Sequence, residues 1–400
     1  MAGRAPRPWA PEGHDGKERA VTQALFRSAL EAHRRGDLAA AVAGYREVLA
    51  RVDSDNAWAN LGLALSHLGR AEEAEAAFAR AIARAPATPE HRYNLANHLR
   101  RTGRLTEALA EYAAAHSAKP AIPGLARNYG DALLAAGDFA RGWALYDERP
   151  ERLQSEARRL AFPEWRGEPL AGKRLFVWTE QGYGDQILAA RFLPRLEAAQ
   201  TTLVTVPALA RLIAGLFAGL GVRVVPREPQ TSVAPHDYWT LPLSIPRWRD
   251  GPLWTGPYLS AEPRTPGQGG VGVVWRGNAL PDPGRSIPEE LGRRLLDLPG
   301  AVSLHPEDSG AADFADTAAI IAGLDAVVSI DTSVAHLAGA MGKPVFVLLQ
   351  AQAQDWRWTQ PWYPTATLVR QPAPGDWAGA LAEVGRRLAG AAAAHARGAP

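Results

Sequence analysis

DNAWANLGLALSHLGRAEEAEAAFARAIARAP, residues 55–86, is followed at a step of 34 residues by PEHRYNLANHLRRTGRLTEALAEYAAAHSAKP, residues 89–120. The step holds Asn60, Asn94 and Asn128 in register, and Gly69, Gly103 and Gly137 with them. Small residues (Ala74, Ala81, Ala108, Ala115) recur where two antiparallel helices must approach closely, and Phe78 and Tyr112 recur where space between successive pairs must be filled. Each glycine falls where a first helix must end in a left-handed residue. Pro86 and Pro120 fall where the second helix must stop.

Trp58, Leu61, Gly62, Ala74, Phe78, Ala81 and Pro86 stand where a tetratricopeptide repeat places its signature residues, and Leu95, Ala96, Ala108, Tyr112, Ala115 and Pro120 repeat them. A weaker copy runs from about Val21 to Val52, with Gly36 and Tyr45 offset by one residue; a later one runs from Ile122 to about Glu148, with Tyr129, Gly130 and Tyr146. Such repeats stack into a curved α-solenoid whose concave face suits a protein or peptide partner, although a spacer or dimerisation arm has the same sequence signature. Asp53-Ser54-Asp55 spells an Asp-x-Asp triplet found at some metal-diphosphate sites, but its place between two repeats makes it a helix cap.

Around this array the bulk composition sets limits. A chain of 400 residues is too long for one hydrophobic core. Its 46% hydrophobic and 22% charged residues are a globular balance. A net charge of +2 gives no case for a nucleic-acid partner. With no cysteine, disulfides, thiolate metal sites and a cysteine nucleophile are excluded, and a cytoplasmic location is compatible. Met1 to Lys17 lacks the apolar stretch of a secretory signal, and no apolar run is long enough for a membrane span.

From Arg174 the pattern alternates strand and helix. Residues 174–178, 201–206 and 222–225 read as strands, separated by helices at Gln186–Ala199 and Pro207–Gly219. Pro263 to Gly270 reads as a hinge. A second series follows: strands at 271–275, 301–304, 326–330 and 344–349, helices after Pro288, near Asp316–Ala322 and from Ser333 to Met341, and a terminal helix from Asp376. The expected organisation is a flexible N-terminus (1–19), repeats (20–150), a linker (151–172), and two Rossmann-like α/β lobes at 173–262 and 268–395. Two doubly wound sheets joined by a hinge place a cleft at the carboxyl ends of their strands.

The candidate site residues are those strand ends. Glu180, Gln181, Gly182, Gly184 and Asp185 follow the first strand; two glycines suit a tight turn, and Asp185 is either a helix N-cap or a catalytic base. The third glycine of a dinucleotide fingerprint is missing. Asp331, Thr332 and Ser333 open a helix whose free amides suit a diphosphate or are simply capped, and His336 lies one turn in, facing a phosphate or the core. Arg276 and Asn278, with Arg285, leave the strand at 271–275; either arginine could neutralise a leaving diphosphate or be a solvated loop charge. Gln350, Trp356 and Trp358 follow the strand at 344–349, where the tryptophans could stack on a base or merely pack.

WRGN (275–278) with RSIP (285–288), DFADTAAIIAGLDAVVSIDTSVAHLAGAMGKPVFVLL (313–349), DWRW (355–358), PWYP (361–364) and GDW (375–377) together resemble bacterial tetratricopeptide-repeat glycosyltransferases related to the lipopolysaccharide heptosyltransferases. The resemblance spans about Leu175 to Trp377. It implies a GT-B pair of lobes, acceptor side first and donor side second, a nucleotide-sugar donor, inversion at the anomeric carbon, and neither metal nor other cofactor. It places the family's Gly-Asp on Gly184-Asp185, making Asp185 the general base, and the donor-binding Asp-Thr-x-x-x-His on Asp331, Thr332 and His336. His305 stands where related chains usually carry glutamine and Gln350 where they carry proline, so the sugar and nucleotide are not carried over. The rival expectation is a catalytically idle scaffold with a degenerate nucleotide-binding domain.

Overall fold

The computed structural model describes residues 16–119, 121–229, 233–249, 256–278, 283–352 and 355–398. The chain divides into two compact units: Met1–Arg149 with Gln354–Thr359, and Pro150–Ala353 with Gln360–Pro400.

Among the described residues, the N-terminal part of the first unit pairs its helices antiparallel: α1 (Gly16–Arg34) with α2 (Leu38–Leu49), α3 (Asp55–His67) with α4 (Ala71–Arg84), α5 (Pro89–Arg101) with α6 (Leu105–Ala118), and α7 (Leu125–Ala135) with α8 (Phe139–Tyr146). Gly36, Gly69, Gly103 and Gly137 all take positive φ in the inter-helix turns, as their spacing requires. The small residues earn close approach: a methyl group on Gly62 would sit 2.7 Å from the Phe78 ring, and one on Gly130 would sit 2.8 Å from the Tyr146 amide. Phe78, Tyr112 and Tyr146 are buried. Helix α1 starts at Gly16, earlier than the expected boundary at residue 20, while the rest of the N-terminal segment and Pro120 lie outside the described residues. In the Asp-x-Asp triplet, Ser54 caps α3 by accepting from the Ala57 amide, Asp53 accepts from the Trp58 indole at 2.7 Å, and Asp55 pairs with His91 at 2.9 Å. All three side chains therefore serve the repeats.

The second unit opens with α9 (Pro150–Leu153) and holds two parallel sheets. The first contains β1 (Arg174–Val177), β2 (Gln200–Thr205), β3 (Val222–Pro226) and β4 (Tyr238–Thr240), in the order β3-β2-β1-β4, with α10 (Tyr183–Ala190) and α11 (Pro207–Leu216) as crossovers. The second contains β5 (Val271–Val274), β6 (Val302–Ser303), β7 (Ala326–Ile330), β8 (Val345–Leu349) and β9 (Ala366–Arg370), in the order β6-β5-β7-β8-β9. Its helices are α12 (Glu289–Gly292), α13 (Pro306–Ser309), α14 (Phe314–Ala322), α15 (Ser333–Ala340) and α17 (Trp377–Gly398), while α16 (Trp356–Thr359) falls within the first unit. The fold class is thus a helical repeat array followed by parallel-sheet α/β lobes.

Two strands were not read from the sequence. β4 is only three residues long, and β9 (ATLVR) is largely half-buried at a sheet edge, so neither shows the continuous apolar run of a central parallel strand. Helix α10 also departs from the expected 186–199: Gly182 is its N-cap, and it ends at Ala190 before a short 3-10 turn at Leu193–Arg195, where Pro194 cannot continue an α-helix.

Both sheets reverse their winding direction beside a central strand, at β1/β4 in the first and at β5/β7 in the second. Loops at such switch points diverge to opposite faces and leave a crevice at the carboxyl ends of the strands. Residues 178–184, 241–243, 275–278 and 331–332 are the chain leaving those four strands.

Candidate active site

The turn after β1 is braced from three sides. Glu180 accepts from the Leu243 amide at 2.9 Å, which ties the ends of β1 and β4 together. Gln186 donates its amide to the Gln181 carbonyl at 3.3 Å and accepts from the Thr205 hydroxyl at 2.9 Å. Gln181 itself is left-handed, with φ of 57°. A non-glycine residue held in that region costs free energy that its surroundings must offset, and such residues cluster at functional turns. The sequence reading gave the turn's conformational freedom to its glycines; the strained position is the glutamine before them.

Gly182 and Gly184 have another use. Asp185 occupies the third position of α10 rather than its N-cap, and its carboxylate reaches back to accept from the Gly182 amide at 3.2 Å. This is the glutamate half of a capping box, made by a shorter acid, and the helix dipole favours the negative charge there. Gly184 lies against the other lobe: a methyl group on it would stand 2.7 Å from Cδ2 and 3.3 Å from Nε2 of His336. Only glycine allows the first turn of α10 to meet the first turn of α15 this closely.

On the second lobe, Thr332 is the N-cap of α15, but its hydroxyl is engaged with the Ser329 hydroxyl at 2.9 Å and makes no side-chain cap. Arg285 lies over this turn. It donates to the Asp331 carbonyl at 3.5 Å and to the Asn278 carbonyl at 3.0 Å, while its buried Nε has no acceptor among the described residues. A methyl group on Gly277 would fall 3.3 Å from Thr332 and 3.5 Å from Arg285, so the β5 loop, Arg285 and the start of α15 converge. Ser333 is the first residue of α15, half-buried. His336 is buried and its Nδ1 meets the Tyr363 hydroxyl at 3.0 Å.

The two arginines expected for the same task part company. Arg276 forms ion pairs with Glu307 and, at 3.8 Å, Glu289, and lies over the Trp275 ring. Its charge is already balanced by carboxylates. His305 supports that loop from behind: it is buried edge-to-face on Trp275, and the Trp275 amide lies 3.5 Å from its Nε2. Burial, reinforced by the nearby Arg276 charge, lowers the His305 pKa and keeps the ring neutral, as an acceptor must be.

Gln350 is half-buried at the end of β8. Trp356 and Trp358 fall within the unit of the repeats. Trp356 is buried edge-on to Trp143, at 5.2 Å between ring centroids, and to Tyr146 at 5.8 Å; Trp358 is buried too. Burial of both rings, with Trp356 edge-on to two aromatic partners, fits the packing alternative.

A cluster that sequence reasoning missed lies behind α15. Arg191, at the end of α10, is buried and donates to the Trp362 carbonyl at 2.9 Å and the Leu188 carbonyl at 3.0 Å. Its guanidinium also lies 4.7 to 5.2 Å from the ring centroids of Tyr258, Trp362 and Tyr363. PWYP was visible as a motif, but nothing in the sequence linked it to an arginine 171 positions away. A second bridge between the lobes is exposed, where Arg211 of α11 pairs with Asp313, the N-cap of α14, at 2.7 Å, and with Asp316 in its first turn. Among the described residues no group of three or more histidine, aspartate and glutamate side chains stands in a metal-ligand arrangement, and no helix is long and apolar enough to cross a membrane.

Residues 26–89 and 67–123 match the tetratricopeptide repeat model, and residues 309–375 match glycosyltransferase family 9 (heptosyltransferase). Protein FlbA of Caulobacter vibrioides is 28% identical over 323 residues, which are 64% of this chain and 53% of that protein. The chain thus spans about half the length of that relative. Among solved structures, an O-GlcNAc transferase variant from Thermobaculum terrenum aligns with 86% of this chain and 84% of its own, at 19% identity and a TM-score of 0.36. MamA aligns with 34% of this chain and 81% of its own, at 20% identity and a TM-score of 0.31.

Proposed function

From a chain that joins tetratricopeptide repeats to a glycosyltransferase family 9 domain, we propose a transferase that moves a sugar from a nucleotide-activated donor to a hydroxyl of a protein or glycan acceptor, inverting the anomeric carbon and needing no metal. The observation that carries this reading is the meeting of two helix starts, α10 and α15, from different lobes, with Gly184 against His336.

The donor diphosphate lies at the start of α15, where backbone amides and the helix dipole favour an anion. Arg285, rather than Arg276, supplies the fixed positive charge, because its guanidinium lies on the Asp331–Thr332 turn and its Nε–H meets no acceptor among the described residues. Asp185, held by the Gly182 amide, takes the proton of the acceptor hydroxyl. The acceptor oxygen forms its bond to the anomeric carbon from the face opposite the diphosphate. The carbon–oxygen bond to the diphosphate breaks, its electron pair leaves with the nucleoside diphosphate, and Asp185 ends protonated. Arg285 and the α15 amides stabilise the growing phosphate charge more in the transition state than in the ground state. The repeats hold a protein or peptide partner on their concave face.

The test is a thermal-shift panel of nucleoside diphosphates and nucleotide-sugars on the whole protein, followed by donor hydrolysis and transfer with and without EDTA. Stabilisation by one nucleotide series and turnover that survives EDTA are expected. Binding without turnover would leave a nucleotide-binding scaffold, and loss of turnover in EDTA would overturn the metal-independent mechanism.

A further inference from the structure

The seam between the two lobes changes character along its length. At one end Arg211 of α11 forks onto Asp313, its Nε donating to Oδ2 at 2.9 Å and its Nη2 to Oδ1 at 2.7 Å, and Nη2 also donates to Asp316. Phe314, the next residue after Asp313, meets the Tyr183 ring edge-on at 5.2 Å between centroids. Gly184, the next residue after Tyr183, lies against His336. At the far end of α10, the Arg191 guanidinium lies over Tyr258, Trp362 and Tyr363. Exposure falls in that order, from 59% for the Arg211 side chain and 44% for Tyr183 to 3% for His336 and 1% for Arg191. The Arg191 end is a packed joint. The Arg211 end is a clasp in water.

The site along this seam is shut. Asp185 is only 8% exposed, and a methyl group on Gly184 would fall 2.7 Å from His336. An acceptor hydroxyl therefore reaches the Asp185 carboxylate only when the starts of α10 and α15 part. Two lobes held at a packed end and a wet end part at the wet end, because an exposed ion pair contributes little in water, whereas a buried guanidinium among aromatic rings moves only with its surroundings. We propose that Arg211 is a positioning residue: its fork on Asp313 and Asp316 clasps the lobes shut at the solvent end of the seam, and substrate enters when the clasp releases and the lobes part about the Arg191 end. The purpose of the clasp rests on the transferase reading; the clasp itself is a property of the chain without ligand.

The two acids form a ready-made receiver. Asp313 Oδ1 also accepts from the amides of Ala315 at 2.8 Å and Asp316 at 3.0 Å, and Asp316 Oδ2 accepts from the Ala312 amide at 3.0 Å. The turn that opens α14 thus fixes both carboxylates whether or not the arginine is on them. Release strands no buried polar group, since the guanidinium is already largely in water. Two parallel N–H···O bonds to one carboxylate also give the clasp a single geometry, so each closure returns the lobes to the same register. A lysine at this position would keep the attraction and lose the register.

The chain has no cysteine, so Leu220→Cys and Leu296→Cys, at exposed positions on the two lobes, supply the sole attachment points for a pair of spin labels. Pulsed dipolar spectroscopy of the whole labelled protein at low salt without ligand is expected to give one dominant inter-label distance. Adding Arg211→Gln is expected to bring in a second, separate population while the melting temperature barely moves. Salt at about 1 M, where the screening length falls to about 3 Å, is expected to bring in the same population with Arg211 in place and to add nothing in Arg211→Gln. Arg211→Lys is expected to hold the closed distance with a broader spread. An unchanged distribution in folded Arg211→Gln overturns the proposal, as does an Arg211→Gln sample that answers to salt just as its parent does. Association of the best nucleoside diphosphate from the thermal-shift panel is timed separately, with a gain of about fivefold expected in Arg211→Gln, the scale on which one exposed ion pair biases a two-state junction. A second population with an unaltered rate would keep the clasp and overturn its part in substrate entry. Absence of any nucleotide binding would count against the transferase reading alone, and the distances would still decide the clasp.

Discussion

The repeats and the transferase lobes bury comparable aromatic and polar groups, yet they differ in how far along the chain each group finds its partner. In the repeats, Asn128 donates to Tyr93 across 35 positions and His98 meets Ser66 across 32, close to the 34-residue repeat step in each case. In the lobes, Arg191 reaches Trp362 across 171 positions and Arg211 reaches Asp313 across 102. A solenoid element answers chiefly to its neighbours, whereas the site between two lobes exists only when distant segments are both in place. Damage should therefore stay local in the first unit and be felt as function in the second.

The largest effect expected is a test of that locality. Phe78 is completely buried between α3 and α4, with its ring against Gly62. Phe78→Ala should cost about 3–5 kcal/mol of repeat stability, the usual range for such a truncation. Nucleoside diphosphate binding by the folded remainder should be unchanged in a thermal-shift titration. If donor binding disappears together with the repeat transition, the two units do not behave as the comparison requires.

A change in the lobes should do the reverse. Asp185→Asn keeps an oxygen able to accept from the Gly182 amide, so the melting temperature should barely move. Turnover should fall by about a hundredfold or more, the scale of a lost general base. Unaltered turnover in single-turnover assays would reduce Asp185 to a capping residue.

The same contrast explains what was legible beforehand. Gly69, Phe78 and their counterparts could be named because one repeat predicts the next and the contacts recur at a fixed step. Strand ends also predicted that the turns at 180–185 and 331–336 would matter, since an open α/β sheet exposes its loops there. Which side chains those turns would engage was not readable. Arg276 and Arg285 are equivalent in the sequence, and only the carboxylates of Glu289 and Glu307, brought in from α12 and α13, distinguish them. That Gln181 would hold the left-handed backbone of its turn was not readable, because backbone strain leaves no mark on composition. For Trp356 the choice between stacking on a base and packing stayed open in the sequence, because its ring partners, Trp143 and Tyr146, lie in the other half of the chain.

The smallest effect separates the units by pH. Burial is the first cause of a lowered pKa for His33, His67 and His98 in the repeats; charged or protonatable neighbours add to it, His67 for the first and Arg101 for the other two. The rings of His33 and His67 are also edge-on at 5.9 Å, so protonating one disfavours protonating the other. Glu75, at 3.7 Å from His98, opposes the shift without reversing it. In the lobes, His305 is lowered by burial and by Arg276. A histidine whose folded pKa lies below its unfolded value of 6.5 contributes no penalty while both states are neutral. As pH falls below 6.5 the unfolded chain binds protons first, and stability declines until the depressed folded pKa is reached. Among the described residues, these three lowered histidines in the repeats against His305 in the lobes mean that the repeat transition should lose more in melting temperature between about pH 7.5 and pH 5.5 than the lobe transition does. His67→Gln, which leaves Arg101 without a protonatable neighbour on α3, should flatten part of that slope. A repeat transition that is equally stable at both pH values, or that gains stability in acid, would show that these histidines are protonated in the fold.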